Sequence, residues 1–173
     1  INMTKKEINI SGTHNRYLIK KTDKQTEECI LKKNNICIDS ELFCVESQID
    51  LLNNIDPIIQ KQLHDIIKIK LSSYQQQDKL KNRFNKELFV TLSEVLEYIR
   101  NLDGKCSYCG DAILIMYKNK RDKKQWTLDR IDNSIGHNTN NLVISCLECN
   151  IQKRDRNHEQ FLFSKNMKID KLS

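Results

Sequence analysis

Cys106-Ser-Tyr-Cys109 and Cys146-Leu-Glu-Cys149 are two C-x-x-C knuckles, a spacing that lets two thiolates reach one ion. Thirty-six residues separate Cys109 from Cys146, long for a simple finger and reasonable with a hairpin inserted. Four thiolates close a tetrahedral shell, so zinc held there is structural rather than catalytic. The alternatives are an iron–sulfur cluster or chance spacing. A polar loop lies between the knuckles, Trp126-Thr-Leu-Asp-Arg-Ile-Asp-Asn-Ser-Ile-Gly-His137. Asn150 follows the last cysteine directly, and Lys153 and Arg154 come soon after. The acidic loop and that asparagine look like a second metal site of different chemistry.

The elements that must hold these residues can be read around them. Asp56-Pro57 opens a helix, with Asp as N-cap and Pro at the first helical position. Ile58, Ile59, Leu63, Ile66, Ile67 and Leu71 follow at helical spacing. The Gln-rich stretch from Ser72 to Asp78 reads as a helix end or a linker. Thr91-Leu-Ser-Glu94 is a capping box, and Leu92, Val95, Leu96 and Ile99 form one apolar face. Gly104 is a C-terminal stop just before the first knuckle. Asp111 to Tyr117 is strand-like, Lys118 to Lys124 a charged turn, and Gln125 to Asp129 the returning strand of a hairpin. Leu142-Val-Ile144 re-enters the interior, Cys146 to Arg154 starts a helix, and His158 to Phe163 adds a short one. Trp126 belongs to the hairpin core rather than to a base-stacking surface. A unit this small has little core of its own, so the ion would supply much of its folding energy.

Residues 106–163 resemble the HNH, or His-Me finger, endonucleases in the version with paired zinc knuckles. The resemblance is carried by Cys106/Cys109, Leu128-Asp-Arg-Ile-Asp132, Gly136, Asn141-Leu-Val143 and Cys146/Cys149-Asn150 with Lys153. It covers about a third of the chain, and residues 1–100 resemble no family. It implies a zinc-stapled, treble-clef-like ββα-metal unit in residues 101–173; with the helix signals before it, the expected fold is α+β, mainly helical, with a helical N-terminal region, residues 1–100, that positions substrate or dimerises. The resemblance implies that Asp129 and Asn150 ligate a catalytic Mg²⁺ or Mn²⁺ and that Asn141 hydrogen-bonds the loop backbone. Lys153 and Arg154 would contact phosphates of a nucleic acid, DNA in first place. The expected activity is metal-dependent hydrolysis of a phosphodiester.

One position departs from the pattern. Arg130 stands where the family usually has the histidine that takes a proton from water. An arginine cannot do that at neutral pH, although it can hold a phosphate bidentately. His137, Asp132, or a metal-bound hydroxide with no protein base are the three replacements. The rival readings are a zinc-stabilised nucleic-acid-binding module with a dead centre, and a structural zinc protein in a larger assembly.

Composition sets looser bounds. The chain has 173 residues, one proline, four glycines and a net charge of +6, a modest excess that favours a polyanionic partner without requiring one. Residues 1–60 carry net −1, residues 61–100 net +3 and residues 101–173 net +4, so the basic excess lies with and just before the knuckles. No run of about eighteen apolar residues predicts a membrane span. The opening residues are polar, with Lys5 and Lys6, so no signal peptide is read there. Seven cysteines without secretion signals point to a reducing, intracellular compartment, cytoplasm or nucleus. Cys29, Cys37 and Cys44 read as ordinary thiols, with a second zinc site using His14 or His64 as the weaker alternative. A two-fold dimer is attractive because one such site cuts one strand.

Overall fold

The computed structural model describes residues 56–119 and 121–167, with Gln48, Asp50, Leu52 and Asn53. The expectations for residues 1–47, including Cys29, Cys37, Cys44 and His14, lie outside the described residues. The described part is α+β. Its elements run α1 (Pro57–Leu80), α2 (Leu92–Asn101), β1 (Trp126–Arg130), a 3-10 turn (Thr139–Asn141), β2 (Leu142–Cys146), α3 (Leu147–Lys153) and α4 (His158–Asn166). No helix among the described residues is long and apolar enough to cross a membrane.

Helix α1 starts where Asp56 accepts from the Ile58 N–H. It does not end at Ser72 but continues through the glutamines to Leu80. Glutamine is a good helix former, and the inward stripe of Leu63, Ile67 and Leu71 goes on to Asp78, which is also buried. Helix α2 has both halves of its capping box: Thr91 caps the Glu94 N–H, and Glu94 reaches back to the Thr91 N–H. Val95, Leu96 and Ile99 are its buried residues. Gly104, at φ 62°, stops it by donating its N–H to Ile99 O at 3.0 Å.

The hairpin is not the expected one. β1 pairs antiparallel with β2, in register from Trp126 opposite Cys146 to Arg130 opposite Leu142. Residues 111–117 make only isolated bridges, Ala112 with Lys105 and Leu114 with Gln125. Ile113, Ile115, Met116 and Tyr117 are all buried, so the run lacks the two-faced alternation of a strand. Ile113 and Leu114 bond to the backbone of Gly104, Lys124 and Trp126, and a side chain serves the next two residues. Gln48 Oε1 accepts from the N–H groups of Ile115 (2.5 Å) and Met116 (2.8 Å), and Gln48 Nε2 donates to Met116 O (2.7 Å).

One continuous apolar core joins these parts. Leu63 and Ile67 of α1, Val95 and Ile99 of α2, Trp126 and Leu128 of β1, Ile144 of β2 and Phe161 of α4 belong to the same cluster. Helices α1 and α2 have the sheet as their partner, and the small ribbon gains from them the apolar cover it cannot build alone. Trp126, fully buried, is core.

Candidate functional site

The register of β1 and β2 gives the ribbon two ends. At the Trp126–Cys146 end the knuckles meet. The Sγ atoms of Cys106, Cys109, Cys146 and Cys149 lie within 4.8 Å of one another, close enough to hold a metal ion such as zinc. Backbone donors already point at the sulfurs. Cys106 Sγ accepts from Tyr108 N (3.4 Å) and Cys146 N (3.3 Å), and Cys146 Sγ from Cys149 N (3.4 Å). Such bonds favour thiolates, which are the ligand form. The hydrogen bond from Cys146, first, holds the Cys106 thiol well below its ordinary value, at about 4. Burial pushes Cys109 up to about 12. Cys146 is raised first by its bond to Cys106, and Cys149 first by burial. Four sulfurs this close are a donor set a cation would complete.

At the Arg130–Leu142 end the side chains are polar. Asp129 is buried and accepts from Tyr108 Oη at 2.6 Å. Lys153 reaches it from the end of α3, with Nζ 3.3 Å from Oδ2, and also donates to Arg130 O at 2.8 Å. Asn150, one turn earlier on α3, donates Nδ2 to Thr127 Oγ1 (3.1 Å) and Leu128 O (3.3 Å). The two α3 side chains therefore grip the β1 backbone on either side of Asp129. Tyr108 Oη also lies 3.0 Å from His158 Nδ1. A phenol has one proton, and this one faces the carboxylate, so Nδ1 of His158 must donate. Burial first, then the bond to Asp129, raises the Tyr108 phenol far above its ordinary range.

The loop after β1 is stapled by Asn141. Its Oδ1 accepts from Asp132 N (2.8 Å), and its Nδ2 donates to Asp132 O (2.9 Å) and Gly136 O (3.1 Å). Asp132 is exposed and closes an Asx turn on Ser134, accepting from its N–H (2.8 Å) and Oγ (2.7 Å). Those bonds hold Asp132 below the usual carboxylate range. His137 is not an exposed loop histidine: it is 4% exposed. Its N–H donates to Asp78 Oδ2 (2.7 Å), its Nδ1 is 2.9 Å from Asp78 Oδ1, and its ring lies 4.5 Å from that of Tyr74. Gly136 permits this approach, because a Cβ there would stand 2.9 Å from Asp78 Oδ2 and 2.5 Å from Arg83 O. Burial pulls the His137 imidazole below its ordinary value, and Asp78 opposes that pull. Arg130 joins the group, with Nη1 3.2 Å from Ile135 O and 3.9 Å from Asp78 Oδ1.

The structure thus brings Lys153 onto Asp129, Asn150 onto Thr127 and Leu128 just before it, and His137 and Arg130 together on Asp78. Lys153 is fully buried, and its ammonium serves Asp129 and Arg130 O. Arg154 is exposed beside it. Sequence reading passed over Tyr108, His158 and Asp78. Only Asp78 left a signal, a carboxylate on the apolar stripe of α1. No protein-family model matches the chain, and no curated protein or solved structure is significantly similar to it.

Proposed function

We propose that the chain is a metal-dependent endonuclease of the HNH type that hydrolyses nucleic-acid phosphodiesters, DNA in first place. The observation that carries this reading is that Asn150 of α3 is hydrogen-bonded to Thr127 and Leu128, the residues of β1 just before Asp129. Asn150 spends its Nδ2 on Thr127 and Leu128, which leaves its Oδ1 as the free oxygen donor. Asp129 Oδ1 carries only a long contact to Lys153, at 3.5 Å. These two oxygens suit a hard cation that keeps several waters. Mg²⁺ or Mn²⁺ bound there would offset charge on the phosphorane and the leaving 3′-oxygen. Around it, Asn141 fixes the loop, the free edge of the Arg130 guanidinium and exposed Arg154 hold phosphates, and His137 is the base that takes the proton of water. Zinc at the cysteines staples the unit.

The test is nicking of supercoiled plasmid with Mg²⁺ or Mn²⁺. Asp129→Ala and Asn150→Ala should each abolish it. A parent that binds DNA in gel shifts but never nicks would sink the reading. It would leave the second one, a zinc-stabilised binding module, which the Lys153 ammonium against Asp129 favours.

A further inference from the structure

The nuclease reading leaves open how a histidine at position 137 could replace the one missing at position 130. We infer that Asp78, contributed by helix α1 from outside the HNH-like segment, is the positioning residue that makes His137 a base. The inference rests on the nuclease reading for its chemistry and on geometry for its placement.

Asp78 is 1% exposed and uses both oxygens on His137. Oδ2 takes the backbone N–H at 2.7 Å, which fixes where the loop sits. Oδ1 lies 2.9 Å from Nδ1. A carboxylate only accepts, so Nδ1 must carry the proton, and the lone pair falls on Nε2. The base nitrogen is thereby chosen by a residue 59 positions away. Other groups act on the imidazole from each element packed round it. Tyr74 of α1 stacks on it, while Arg130 and Asp129 of β1 act through charge, Arg130 lowering its proton affinity and Asp129 raising it. Arg130 and His137 meet at the same oxygen of Asp78, so the phosphate-holding arginine and the base keep a fixed spacing.

The step follows from that placement. As the water oxygen bonds to phosphorus, its proton passes to His137 Nε2. The P–O3′ bond breaks, and the 3′-oxygen takes a proton from solvent. The imidazolium then returns its proton to solvent, so the sum is hydrolysis.

Asp78→Asn tests this with almost no change of shape. The amide oxygen must stay on the His137 N–H, which turns the amide nitrogen toward Nδ1. That nitrogen donates, so the imidazole is driven to the Nε2–H form and loses its base. Long-range ¹⁵N–¹H NMR at neutral pH should show Nδ1–H for His137 in the parent and Nε2–H in the variant. In the plasmid assay kcat should fall on the order of 10²-fold or more, with KM for DNA nearly unchanged. Removing the Asp78 charge also lowers the His137 pKa, so the acidic limb of the rate profile should move to lower pH. A merely structural Asp78 would cost stability and leave that limb in place. An Nε2–H form in the parent, or an Asp78→Asn variant with the parental rate and limb, overturns the inference and spares the nuclease reading. If the parent never nicks, that reading fails, and the NMR result alone decides the placement.

Discussion

At one end of the β1–β2 ribbon four cysteines converge from two short turns. At the other, Asp129, Arg130 and His137 are held by side chains from distant parts of the chain. The sulfur end is built locally: two of its three N–H···S bonds span two or three residues. The polar end spans 59 residues from Asp78 to His137, 50 from Tyr108 to His158 and 24 from Asp129 to Lys153. A locally built site survives as a pattern in sequence, whereas a site assembled by packing does not. Tyr108 links the two, since it sits inside the first knuckle and donates to Asp129.

The largest expected effect breaks the sulfur end. Metal at a four-cysteine site contributes folding energy directly, on the order of 10 kcal/mol in small zinc units. Cys106→Ala combined with Cys149→Ala, or a strong chelator, should release one equivalent of metal by elemental analysis. It should also abolish the cooperative near-UV signal of Trp126. An unchanged melt after chelation would show that the cluster is no staple. Because Tyr108 lies between two of the ligands, the same treatment should unseat Asp129.

The next effect belongs to the polar end. Lys153→Met removes one partner of a buried pair, in which the Lys side chain is 0% and the Asp side chain 6% exposed. Leaving Asp129 with Tyr108 alone should cost about 3–5 kcal/mol, read as a lower urea midpoint. The phosphate role that the family resemblance implies predicts the reverse: normal stability with weaker, less salt-dependent DNA binding. The two measurements separate the roles cleanly.

What could be read in advance follows the same division. Asp56-Pro57, the Thr91–Glu94 box, Gly104 and the C-x-x-C pairs are signals whose partners lie within five residues, and the structure has them in place. The Ser72–Asp78 stretch reads as a helix end or a linker and forms the last turns of α1; its inward face, Tyr74 and Asp78 under His137, takes its value from tertiary packing. Residues 111–117 read as a strand because they are apolar. The burial of three consecutive residues, Ile115 to Tyr117, with Gln48 bonding the backbone of Ile115 and Met116, could not be seen in a linear pattern. The phosphate contact of Lys153 is an expectation from the family resemblance, which carries no information on its burial. Its burial depends on a carboxylate 24 positions back.

The smallest effect tests whether ease of reading tracks energetic weight. The Thr91 cap is as legible as any feature of the chain: its Oγ1 accepts from Glu94 N at 3.3 Å, and Glu94 Oε2 accepts from Thr91 N at 2.8 Å. Thr91 is exposed and Glu94 half-buried at the surface, so each bond competes with water. Thr91→Ala should cost about 1 kcal/mol by urea unfolding, and Glu94→Gln less, because glutamine can still accept from the Thr91 N–H. Helix α2 would stay in place, since Val95 and Ile99 are fully buried against the sheet. If Thr91→Ala instead costs as much as Lys153→Met, the distinction between locally and globally built parts fails. Capping would then hold α2, and through it the loop that Tyr98 Oη anchors at Thr139 O, 2.6 Å away.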